Sequence, residues 1–141
     1  MNRKPLVLVT ACLTFIALPA TAGATPGRGV TAVTIFDHVA GNTDYVLKEI
    51  TLAPGGSTGW HYHPGEVTDY VKQGVLSHDD ATCESDGVYH AGQVISEESG
   101  PGYVHIGRNL GTTNVVLEVF YRSPVGQPLA VDQPNPGCSY E

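Results

Sequence analysis

Two stretches of this chain concentrate the residue types that do chemistry. The first is Gly55-Gly56-Ser57-Thr58-Gly59-Trp60-His61-Tyr62-His63-Pro64-Gly65-Glu66; the second is Gly102-Tyr103-Val104-His105-Ile106-Gly107-Arg108-Asn109. Strand side chains alternate with period two, so His61 and His63 project from one face together with Gly59, and Trp60 and Tyr62 from the other. A third histidine from another strand, His105, would close a facial set of imidazoles around one divalent metal. Taken alone, the His61/His63 pair fits surface histidines beside core aromatics equally well. The second motif, with His105 and Asn109 after Gly100-Pro101-Gly102, favours the metal. Histidines inside a closed barrel send the two aromatics outward, toward a covering strand or a partner, which leaves a homodimer open.

These histidines need short strands to carry them, and the chain supplies such strands. Runs rich in Val, Ile, Tyr and Thr recur between Gly, Pro, Asn and Asp: Val30 to Phe36, Tyr45 to Leu52, Gly59 to His63, Val67 to Gln73, Val75 to His78, Val88 to His90, Gln93 to Ser96, Val104 to Ile106 and Val115 to Tyr121. Short strands without long helical periodicity predict an all-β antiparallel sandwich or barrel. Pro54-Gly55-Gly56, Asp79-Asp80 and Asn109-Leu110-Gly111 read as turns. From Gln127 the chain carries Pro128, Pro134 and Pro136, which predicts an irregular tail wrapped over the barrel.

The 141 residues allow one domain with its own core. Residues 1–24 read as a secretory signal peptide: Asn2-Arg3-Lys4 is a basic start, Leu6 to Leu18 an apolar run, and Ala20-Thr21-Ala22 or Ala22-Gly23-Ala24 a small-residue cleavage site. The apolar run is shorter than the roughly 20 residues of a spanning helix. Val9-Thr10-Ala11-Cys12 loosely resembles a lipoprotein cleavage site, but only a few apolar residues precede Cys12 and the apolar run continues past it. Residues 25–141 then form a single secreted or cell-envelope domain. Without Arg3 and Lys4, five basic residues face fourteen acidic ones, a net charge of 5 − 14 = −9. That balance disfavours nucleic acid and anionic membrane surfaces as partners and leaves a small molecule as the expected one. Cys83 and Cys138 remain, and two cysteines in an exported chain suggest one disulfide, with two free buried thiols as the alternative.

With both motifs in view, the chain resembles the cupin family. Gly55, His61, His63 and Gly74 match the first cupin motif, and Gly102, His105 and Asn109 the end of the second. The resemblance spans Tyr45 to Tyr121. Trp60-His61-Tyr62-His63-Pro64-Gly65, Thr82-Cys83 and Pro136-Gly137-Cys138 look like small exported bacterial single-domain cupins. The resemblance implies a double-stranded β-helix, or jelly-roll barrel, with a metal inside. The family's glutamate falls at position 67, where this chain has Val67. Glu66 is one residue early and reaches the metal only if the Pro64-Gly65 turn is irregular. Asp69 shares the inward face of Val67, where an ionised carboxylate needs a metal, a donor or a raised pKa. Tyr103, two residues before His105, also points inward; Tyr103 and Asp69 are therefore the candidates for a proton-transfer role. His38, His78 and His90 sit at turns or strand ends and read as polar surface.

The expected metal set is thus His61, His63 and His105, with Glu66, Asp69 or water as the fourth ligand. Such a set holds Fe, Mn, Cu, Ni or Zn, and affinity does not choose among them. Three-histidine cupins include oxygenases acting on thiols or diketones, so the resemblance implies a metal-dependent dioxygenase-type oxidoreductase. A non-catalytic module binding a small ligand or metal is the second reading, and a structural protein with a decayed site the third.

Overall fold

The computed structural model describes residues 24–141, so Cys12 and all of the expected signal peptide except Ala24 lie outside the described residues. Ten strands follow one another: β1 (Arg28–Ala40), β2 (Thr43–Ser57), β3 (His61–Tyr62), β4 (Glu66–Gln73), β5 (Val75–Asp80), β6 (Ser85–His90), β7 (Val94–Glu97), β8 (His105–Arg108), β9 (Val115–Pro124) and β10 (Val131–Asp132). There is no helix among the described residues. All ten strands join one sheet ordered β10-β3-β8-β2-β9-β4-β7, with β1 added on β2 and the β5–β6 hairpin on β8. Every pairing within the sheet is antiparallel.

Alternation along the strands sets the core. In β9 the residues Val115, Leu117, Val119 and Tyr121 are buried, and their neighbours Val116, Glu118 and Phe120 are not. Val46 and Leu52 from β2, Val67 and Val71 from β4, Leu76 from β5 and Ile95 from β7 complete the cluster. Each of these side chains contributes about 1.5–3 kcal/mol through burial.

Three local readings are corrected, the simplest being Asp79-Asp80, which ends β5 paired with β8 rather than forming a turn. Pro54-Gly55-Gly56 is not a turn between strands. It is an outward loop within β2: Val30 pairs with Leu52 and Arg28 with Ser57, so four residues of β2 bulge against one of β1. The third expected strand shrinks to His61–Tyr62, because Gly59 takes a left-handed φ of 73° just before it. A Cβ on Gly59 would stand 2.1 Å from the Thr25 carbonyl oxygen, so only glycine fits there.

Thr25 and the C-terminal tail cover Trp60, just before β3, on the side that points away from the core. Trp60 is fully buried, its ring stacked 6.3 Å from that of Tyr140. Its amide donates to the Thr25 hydroxyl rather than to a strand neighbour, while its carbonyl accepts from the Gln133 amide. The outward aromatic expected from the sequence therefore has its cover in this chain's own tail. Cys83 and Cys138 are joined by a disulfide that fastens the tail to the β5–β6 turn.

Candidate metal centre

Two cross-strand pairs assemble the centre. His61 on β3 lies directly opposite His105 on β8, and Val67 on β4 directly opposite Glu97 on β7. Residues opposite each other in an antiparallel pair share a face, so the first pair delivers two imidazoles and the second one carboxylate. His63 follows two residues after His61 on the same side. All four are buried.

Hydrogen bonds fix the tautomers. Nδ1 of His61 donates to the Gly59 carbonyl (2.9 Å), Nδ1 of His63 to the Leu129 carbonyl (2.7 Å) and Nδ1 of His105 to the Tyr103 carbonyl (3.1 Å). A carbonyl oxygen only accepts, so each Nδ1 carries the proton and each neutral ring keeps a bare lone pair on Nε2. Those lone pairs converge: the ligand atoms of the three rings lie within 4.8 Å of one another, and the His61 and His63 Nε2 atoms are 3.2 Å apart. Nε2 of His105 is buried without a hydrogen bond. Oε2 of Glu97 lies 2.9 Å from His63 Nε2 and 3.4 Å from His105 Nε2. Three lone pairs and a carboxylate oxygen facing one point, with no proton among the neutral rings, need a cation. The donor set fits a divalent transition metal, and the backbone carbonyls holding each Nδ1 are the outer partners such ligands use.

Electrostatics agree. Burial, then the neighbouring His105 and His63, pushes the His61 pKa down to about 3, so its ring stays neutral and able to ligate. Burial pushes Glu97 upward, but the neighbouring imidazoles of His105, His63 and His78 outweigh it and hold the carboxyl well below its ordinary range. Its other oxygen, Oε1, is 3.0 Å from Nε2 of His78, whose Nδ1 meets Asp86; Asp86 in turn accepts from the Tyr103 hydroxyl at 2.7 Å. Burial disfavours the His78 cation, yet the bonds to Asp86 and Glu97 raise its pKa to about 10. His78 is thus a charged clamp between two carboxylates, orienting Glu97.

The sequence-predicted residues separate into two groups. His61, His63 and His105 come together. Glu66 does not: it is exposed on the outward side of β4 and ion-paired with Arg122 at 3.2 Å, because the one-residue offset turns it from the core. Asp69 is buried beside Glu97, with one carboxyl oxygen lacking a partner. Burial and the Glu97 charge raise its pKa well above the ordinary value, which keeps it neutral. Tyr103 is half-buried; its ring lies 4.9 Å from that of His105, but its hydroxyl is committed to Asp86. His38 and His90 are exposed. His78, read as polar surface, is instead buried, and Glu97 went unread. Both carried a period-two signal, since His78 follows Leu76 and Glu97 follows Ile95 on the same face. Asn109 is structural: its amide donates to the Leu52 and Thr113 carbonyls and closes the β8–β9 turn.

No family model matches the chain, and no curated protein sequence is significantly similar to it. Solved structures are similar. The polyketide cyclase RemF from Streptomyces resistomycificus aligns with a TM-score of 0.62 at 19% identity, covering 88% of this chain and 90% of that one. A double-stranded β-helix protein from Klebsiella pneumoniae aligns with a TM-score of 0.59 at 19% identity, covering 73% and 83%. A recombinant oxalate oxidase aligns with a TM-score of 0.59 at 21% identity, covering 73% of this chain and 54% of that one. The fold of this chain is therefore the double-stranded β-helix of the cupins.

Proposed function

We propose that this chain is an exported cupin that holds one divalent transition metal through His61, His63, His105 and Glu97 and acts on a small organic molecule. The observation that carries this reading is the convergence of three Nε2 lone pairs, each fixed by a carbonyl on Nδ1. When bound, Fe, Mn, Cu, Ni or Zn would supply Lewis-acid polarisation, and the redox-active members of that set one-electron chemistry. The chain's own residues hold the ligand set rigid, keep His61 unprotonated and confine the reaction to a cavity of about 40 Å³ reached past Ile50, Thr58 and Tyr121. The family resemblance favours a dioxygenase-type oxidoreductase. Export is supported by the leader-like residues 1–24 and by the disulfide, a feature of oxidising compartments.

A non-catalytic binding module is the second reading, favoured by the commitment of the Tyr103 hydroxyl to Asp86, which removes one candidate for proton transfer. Oxygen consumption separates the two. Protein reconstituted with each metal is offered phenols, diketones and thiols. The enzyme reading expects uptake that disappears in His61→Ala/His63→Ala. Ligand binding without uptake for any metal supports the module.

A further inference from the structure

Thr25 is distant from the metal ligands in sequence, yet only one peptide separates its side chain from the ring of His61. Its hydroxyl accepts from the Trp60 amide at 2.9 Å and donates to the Gln133 carbonyl at 2.9 Å. Its own amide donates to that same carbonyl at 2.9 Å, and the residue is buried. With its donor and an acceptor site both engaged, the hydroxyl has a defined orientation. The amide it holds belongs to the Gly59–Trp60 peptide, and the carbonyl of that same peptide accepts from Nδ1 of His61 at 2.9 Å.

A trans peptide is planar, so its N–H and C=O point in opposite directions. Holding the N–H at Thr25 therefore aims the Gly59 oxygen at the imidazole. The local sequence makes such a hold useful, because Gly59, at a φ of 73°, has no side chain to restrain the peptide that follows it. The backbone of residues 25–27 also lies against this loop: a Cβ on Gly59 would stand 2.9 Å from the Pro26 carbonyl carbon, and one on Gly27 3.0 Å from the Thr58 oxygen. Thr58 supports the Gly59 oxygen from its other side, donating to it at 3.1 Å. The bonds from ring to tail all donate in one direction: His61 Nδ1 to the Gly59 oxygen, Trp60 amide to the Thr25 hydroxyl, and that hydroxyl to the Gln133 oxygen. Hydrogen bonds in series polarise one another, and a stronger acceptor at Nδ1 makes Nε2 a better ligand.

We propose that Thr25 is a positioning residue for the metal ligand His61, acting through the Gly59–Trp60 peptide. This rests on the metal reading above and extends it to a residue outside the barrel strands. The test loads metal-free protein with Co(II), measures cobalt affinity by titration, and records the paramagnetically shifted ring N–H signals by proton NMR in water. The parent protein should show three such signals, one for each of His61, His63 and His105. Thr25→Val keeps the side-chain shape and removes the hydroxyl; Thr25→Ser keeps the hydroxyl. Thr25→Val should weaken cobalt binding roughly three- to tenfold, less than the loss of a direct outer partner, since Thr58 still holds the Gly59 oxygen. It should also displace one of the three signals and speed that proton's exchange with solvent, leaving the other two in place. Thr25→Ser should restore both affinity and spectrum. Unchanged affinity and an unchanged spectrum in Thr25→Val, even with lowered unfolding stability, would make Thr25 a support of the fold alone and overturn the proposal. Displacement of two or three signals would mean that the effect travels through the tail, and would overturn the route through the peptide. Should Thr25→Val fail to fold, Thr25→Ala makes the same measurement, and loss of the fold in both variants also overturns the proposal. A parent protein that binds no cobalt overturns the metal reading, and this inference with it.

Discussion

Val67 and Glu97 carry the least expected feature of the centre. The carboxylate that the cupin pattern places at position 67 is supplied here by the residue directly across the β4–β7 pair. Opposed Cβ atoms lie about 4.5–5.5 Å apart, so a carboxylate from either strand reaches the same space. The swap should therefore be reversible. Glu97→Val should weaken cobalt binding by at least tenfold, and Glu97→Val/Val67→Glu should recover most of the loss, as read by calorimetric titration. Val67→Glu alone should destabilise the fold, because it buries a second carboxylate beside Glu97 and Asp69 without a donor; a double variant no better than Glu97→Val would refute the exchange. The histidine triad was legible in the sequence because His61, His63 and His105 obey local period-two spacing and lie in recognisable Gly-rich motifs. Glu97 was not, because its place depends on the register between β4 and β7, strands far apart in sequence. Glu66 misled for a simple reason: on a strand, one residue reverses the face.

At the scale of elements, the tail from Gln127 is part of the site's wall. β10 pairs with β3 through Val131 and Tyr62 and through Asp132 and His61, and the Leu129 carbonyl fixes the His63 tautomer. The Cys83–Cys138 disulfide fastens that tail across 55 residues of chain. The chain-entropy treatment assigns a closure of this length about 4 kcal/mol. Cys138→Ser should lower unfolding free energy by up to about that amount in urea titration. It should also weaken metal binding, since a released tail no longer holds His63. An unchanged metal affinity would mean that β10 keeps its place without the disulfide. The proline-rich irregularity of this tail was readable in the sequence, and so was its pairing with Cys83. That it covers Trp60 was not, because an outward-facing aromatic on a strand accepts cover from any segment. The Pro54-Gly55-Gly56 bulge was misread as a turn for a related reason: Gly and Pro mark a break in regular pairing but do not say whether the strand resumes.

For the whole molecule, pH dependence follows from the buried charges. His78 binds its proton up to about pH 10 in the folded state, whereas an unfolded histidine releases it near 6.5. A raised pKa of this kind contributes stability that is complete below 6.5 and is lost as pH rises toward 10. The raised Asp69 acts in the same direction, and so do the raised Tyr103 and Tyr121 at higher pH. Metal-free protein should therefore lose stability between about pH 6.5 and 10, with His78 contributing on the order of 5 kcal/mol at most. His78→Asn should flatten that limb in thermal unfolding; equal slopes for the two proteins would contradict the charged clamp. Acid acts on the metal: once the imidazoles take up protons, bound metal should be released. The central claim, that His61, His63 and His105 with Glu97 hold one metal inside the barrel, is tested most directly by metal content. Inductively coupled plasma mass spectrometry on protein purified without added metal, compared with His61→Ala/His63→Ala, should find close to one transition-metal ion per chain in the first and almost none in the second, both remaining β-rich by circular dichroism. Full occupancy in the double variant would place the metal elsewhere and contradict the account.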